Sequence, residues 1–138
     1  MRYIAAWLGA GLVMGVLDAI WLNLAMERLY RPVLGDILAD RPNMTAALAF
    51  YLIYLTGVVV LAVAPALKAA SLRRALALGG VFGFVAYATY DLTNQATLKV
   101  WATHITLIDM AWGVFLTASA AAAGYGAGRL AMRSRPRG

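Results

Sequence analysis

Residues 3–26 read YIAAWLGAGLVMGVLDAIWLNLAM, an apolar run whose one charged side chain is Asp18. At 1.5 Å per residue a helix of this length spans a hydrocarbon core of about 30 Å. Three more runs of similar length follow, at about 44–67, 74–98 and 104–128. The chain is 63% hydrophobic with a mean hydropathy of +0.74, well above the half-apolar composition of soluble domains. These runs predict an all-α integral membrane four-helix bundle, one transmembrane domain over 1–138 with a basic tail at 129–138. The first run is too long for the apolar part of a signal peptide and carries an acid, so it reads as a permanent helix.

The remaining composition excludes several classes of chemistry. There is no cysteine, hence no disulfide, thiolate metal site or cysteine nucleophile, and the single histidine, His104, rules out a bis-histidine haem. No haem or thiolate metal site is expected; no metal ligand is assigned, and the cofactor, if any, is unknown. The net charge of +6 does not read as nucleic-acid binding. Lys68, Arg73 and Arg74 lie between the second and third runs, and Arg129, Arg133, Arg135 and Arg137 lie in the tail, where basic residues set topology and touch anionic lipid. With the N-terminus in the cytoplasm, eight Lys and Arg fall inside and four (Arg28, Arg31, Arg41 and Lys99) outside. The positive-inside rule therefore places both termini in the cytoplasm. Between the first two runs, ERLYRPVLGDILADRPN carries Val33, Leu34, Ile37 and Leu38 at helical spacing, which predicts a short interfacial helix.

Under this topology Asp18, Asp91 and Asp109 all fall in the outer third of the membrane. Trp21, Trp112, Asn94, Tyr51, Tyr54, Tyr87 and Tyr90 fall in the same layer, whereas the inner two-thirds of the helices is mostly small or aliphatic. Asp18 with Trp21, and Asp109 with Trp112, are i,i+3 pairs on antiparallel helices. If those faces meet, the indoles are expected to bracket the acids from above and below. Intramembrane charge costs a few kcal/mol even on lenient scales, so the three acids are expected to face the bundle interior or a water-filled cavity. Crowded there, they cannot all be ionised without a neutralising cation, and at least one is expected to hold a proton. The pairs Gly11/Gly15 and Gly79/Gly83, and the small residues from Ala120 to Gly128, mark faces where helices approach closely, within the chain or across a homodimer.

The segments LDAIWL, LADRPN, AYATYDLTN and LIDMAWG resemble a family of small bacterial four-helix inner-membrane proteins grouped as a domain of unknown function. The resemblance covers nearly the whole chain. It implies a bacterial inner-membrane location and a four-helix fold, and supplies no activity. The leading functional reading is an outward-facing pocket built on Asp18, Asp91 and Asp109, binding a cation, a proton-coupled solute or a lipid head group, in a binding protein or small transporter. One alternative is a membrane enzyme acting on a lipid or isoprenoid through Asp acid–base chemistry. The other is a structural or regulatory subunit whose polar layer fixes helix packing. A transporter needs a route to the cytoplasm; an enzyme needs a groove that reaches lipid and is lined by at least two of the acids.

Overall fold

The computed structural model describes residues 1–134. It is all-helical, with four helices long and apolar enough to cross a membrane: α1 (Arg2–Ile37), α2 (Met44–Lys68), α3 (Leu72–Thr97) and α4 (Thr103–Arg133). Two of the four starts have a side-chain cap. The Asn43 side chain accepts from the Ala46 N–H at 3.1 Å and the Ser71 hydroxyl accepts from the Arg74 N–H at 3.2 Å, so α2 and α3 begin at N-caps. Arg129 and Arg133 of the expected basic tail belong to α4, while Arg135 and Arg137 lie outside the described residues.

The expected interfacial helix is not a separate element. Arg31–Leu34 and Gly35–Ile37 are helical, but they continue α1 through a π turn at Met26–Tyr30. A second π turn, Val59–Val63, interrupts α2. Both have the same layout. The residue after the turn, Arg31 or Ala64, donates its N–H five residues back, to Met26 or Val59, and Pro32 or Pro65 comes next. Proline has no N–H to donate and its ring crowds the carbonyl four residues before it. The wider turn ahead of it relieves that clash and lets the helix carry on.

Helix α4 is the centre of the bundle, packing along α1 on one side and α3 on the other. Small residues set both contacts. A Cβ at Gly79 or Gly83 would run into Ala121, Thr117 and the Gly113 carbonyl of α4, and one at Gly124 would lie 2.9 Å from the Ala6 carbonyl of α1. The Gly79/Gly83 face and the Gly124/Gly128 face are thus occupied within the chain, leaving them closed to a second copy. The Gly11/Gly15 pair does not act this way: Gly11 meets only the Leu55 side chain and Gly15 faces open space. Ala6, Ala10, Met14, Val58, Val63 and Leu116 are fully buried, from mid-bundle toward the end that holds the N-terminus and the α2–α3 corner. By contrast, most of α2 from Met44 to Ile53 is exposed, so the bundle is tight at one end and open at the other.

The α2–α3 corner is a Schellman closure. Ala70 N–H donates to Leu67, Ser71 N–H donates to Ala66, and Ala70 sits at φ 49°. That conformation favours glycine. Ala70→Gly is expected to raise stability by about 0.5–1 kcal/mol, read as a higher thermal midpoint in detergent, and a lower midpoint would contradict it.

Candidate functional site

The open end of the bundle gathers three buried acids. Asp18 (8% exposed) comes from α1, Asp91 (0%) from α3 and Asp109 (5%) from α4. Each is held differently. The Tyr51 hydroxyl of α2 donates to Asp18 Oδ2. The Tyr30 hydroxyl donates to Asp109 Oδ1, and Tyr30 in turn accepts from Trp21 Nε1 at 3.0 Å. Asp91 neighbours the Asp109 carboxyl, yet no hydrogen bond of sound geometry reaches either of its oxygens. No basic side chain pairs with any of the three; the ion pair found among the described residues is Glu27–Arg31, out on the surface. Tyr54 bonds Thr117 at 2.8 Å, tying α2 to α4 just inward of this layer.

Tyr30 reaches the site because of the π turn. On an unbroken α-helix it would lie about 120° round from Asp18, twelve residues on. One π turn takes roughly one residue more, which removes most of that rotation and returns Tyr30 to the Asp18 face.

A cavity of about 260 Å³ opens beside these groups. Asp18, Asp109, Trp21, Trp112, Tyr87 and Tyr90 form its working walls. Met26, Leu34, Leu38 and Trp101 cover it from the α1 extension and the α3–α4 connection. The indoles of Trp21 and Trp112 do not bracket the acids. They stack on each other, centroids 4.5 Å apart and planes within 8°, as one flat aromatic wall. The Trp112 N–H is buried without a partner.

A second cavity of about 320 Å³ lies on the other side of Tyr87 and Tyr90, between α2 and α3. Phe50, Tyr54 and Ala86 complete its lining, and Asp109 borders it as well as the first cavity. The Tyr87 ring lies directly over Gly113, where a Cβ would collide with it, so this glycine sets the position of the wall between the two cavities.

Of the residues expected from sequence, Asp18, Asp109, Trp21, Trp112, Tyr87 and Tyr90 line the first cavity, Tyr54 lines the second, and Tyr51 supports Asp18. Asp91 stands behind Asp109 and lines neither cavity, and neither does Asn94. Sequence reasoning missed Tyr30 because MERLYRP reads as the exit from a helix. On the α3–α4 connection, Trp101 donates to Thr106 at 2.9 Å, and Thr106 donates to Gln95 at 2.7 Å.

The acceptors here are carboxyls and phenols, the walls are aromatic, and positive charge is missing. Such a site suits a cation or a strong hydrogen-bond donor and disfavours a phosphate.

The sequence matches the family described as "Predicted membrane protein (DUF2177)" over residues 3–126, and the chain belongs to that family. No curated protein and no solved structure matches it.

Proposed function

We propose that this DUF2177 member is a multi-pass protein of the bacterial inner membrane that binds a cation-bearing small molecule in an outward-facing pocket. Both termini lie in the cytoplasm in this reading, and the basic residues flanking α2, α3 and α4 contact anionic lipid there. The observation that carries the proposal is that Asp18 and Asp109 line one cavity in which no Lys, Arg or His takes part. Two buried carboxyls without a counter-charge are costly at membrane depth unless a proton or a ligand cation neutralises them. Stacked indoles and phenol rings supply the aromatic faces over which ammonium groups bind.

Binding is favoured over conduction. Met14, Val58, Val63 and Leu116 fill the inner half with no exposed surface, against a continuous path to the cytoplasm. An enzyme acting on a lipid or isoprenoid is the second reading, favoured by the fact that two acids share the cavity. A lipid phosphate as the recognised group is disfavoured by the lack of any base.

The test is titration of the protein, in nanodiscs of zwitterionic phosphatidylcholine, with tetramethylammonium, followed by tryptophan emission from the Trp21/Trp112 wall. Saturable binding is expected, weakened at least about tenfold by Asp18→Asn or Asp109→Asn. Absence of a saturable response, or unchanged affinity in both variants, sinks the proposal.

A further inference from the structure

We infer that the ligand of this pocket is a bilayer-dissolved amphiphile, an ammonium head on an apolar body, which enters sideways from the lipid between α2 and α3. This rests on the cation-binding reading of Asp18 and Asp109 and adds the other half of the molecule.

The two cavities are arranged as a head site and a body site. They meet at Asp109, Tyr87 and Tyr90, which border both. Beyond that boundary the second cavity is lined by Phe50, Tyr54 and Ala86, and Asp109 at its edge is its one carboxyl. A molecule seated in the second cavity would place a charged end at Asp109, on the edge of the first cavity, and the rest among aromatic and methyl groups.

The position of the opening says where such a molecule comes from. On the inner side α2 and α3 are closed by ring contacts: Tyr54 stacks on Phe82 at 5.1 Å, and a Cβ at Gly57 would lie 2.9 Å from the same Phe82 ring. On the outer side the two helices part. Tyr90 is 59% exposed and Phe50 44%. These residues belong to membrane-spanning segments, so the mouth faces hydrocarbon. An apolar body reaches it without leaving the bilayer, while a fully hydrated ion has no comparable route through that side.

Charge and size fix the class further. An anionic head would meet carboxyls and no base, which adds repulsion to desolvation. Cavities of about 260 and about 320 Å³ match the lower range of small-molecule sites, large enough for an ammonium group and a short chain or ring.

The experiment uses the full chain in phosphatidylcholine nanodiscs and compares tetramethylammonium, decyltrimethylammonium and decyl sulfate, each corrected for partition into empty nanodiscs. The decylammonium compound is expected to bind at least about thirtyfold more tightly than tetramethylammonium, because the chain fills apolar space. Decyl sulfate is expected not to bind saturably. Ala86→Trp, which fills the second cavity, should reduce the chain's advantage to less than about threefold and leave tetramethylammonium affinity unchanged. Ala86→Leu serves the same purpose should the larger side chain prevent folding. Equal affinity for both ammonium compounds overturns the amphiphile inference and leaves the cation pocket standing. Saturable decyl sulfate binding, or a chain advantage that survives both Ala86 variants, also overturns it. Failure of both ammonium compounds to bind removes the underlying reading as well.

Discussion

Gly83→Ala is expected to loosen the bundle more than any other single-methyl change, by about 3 kcal/mol, the upper end of what overpacking costs. The added carbon would strike the Gly113 carbonyl and the Thr117 side chain of α4. A side chain can rotate away, but a backbone carbonyl inside a helix cannot, so α3 and α4 would have to separate along their length. Without a hydrophobic driving force between helices in lipid, close packing is what holds them, and separation loses it directly. Gly15→Ala is the matched control. Nothing lies within 4 Å of the new carbon there, and the change should be neutral or stabilising by up to about 1 kcal/mol through helix propensity. Thermal or SDS titration of both variants decides the matter: equal stability would mean that the α3–α4 contact is not the one holding the bundle.

Tyr30→Phe is expected to cost about 1–3 kcal/mol, since one hydroxyl serves both the buried Asp109 and the half-buried Trp21. It donates to Asp109 and accepts from Trp21 Nε1. Its loss leaves a carboxyl and an indole N–H unsatisfied together. Tyr51→Phe should cost less, because Tyr51 is only half-buried and water can replace it at Asp18. The two sites belong to one layer, yet Tyr30 shares a network with Asp109. Tyr30→Phe combined with Asp109→Asn should therefore cost less than the separate changes added together. Strict additivity in that double-mutant cycle would show that the Tyr30–Asp109 bond carries no coupling.

The parts of this molecule that were legible in its sequence are those governed by composition. Each spanning run announces itself because lipid forbids an unpaired backbone and rewards apolar side chains. The level shared by Asp18, Asp91 and Asp109 follows from counting residues along helices of known rise. Rotation about the helix axis was less legible. The i,i+3 rule put Asp18 with Trp21 and Asp109 with Trp112, but not the stacking of one indole on the other, which depends on how far α1 and α4 are turned. Tyr30 was out of reach for the same reason: its phase depends on a π turn, whose only trace in the sequence is the proline two residues downstream. The glycine pairs show a further limit. Gly11/Gly15 and Gly79/Gly83 are identical as a pattern, and only the second lies against a helix backbone. Spacing reports that close approach is possible, not that a neighbour is there.

The central place of α4 has a consequence for how the protein is made. This helix follows the other three in the chain, yet it is the one that α1 and α3 both pack against. During synthesis Asp18 enters the membrane long before Asp109 has been translated, and Tyr51 of α2 is the first partner it can find. Until α4 is in place, Gly79 and Gly83 lack the helix backbone they pack against, and the polar layer lacks Asp109. The last helix completes the packing of α1 and α3 and supplies Asp109 and Trp112 to the cavity walls, so the cavity and the folded bundle are completed together.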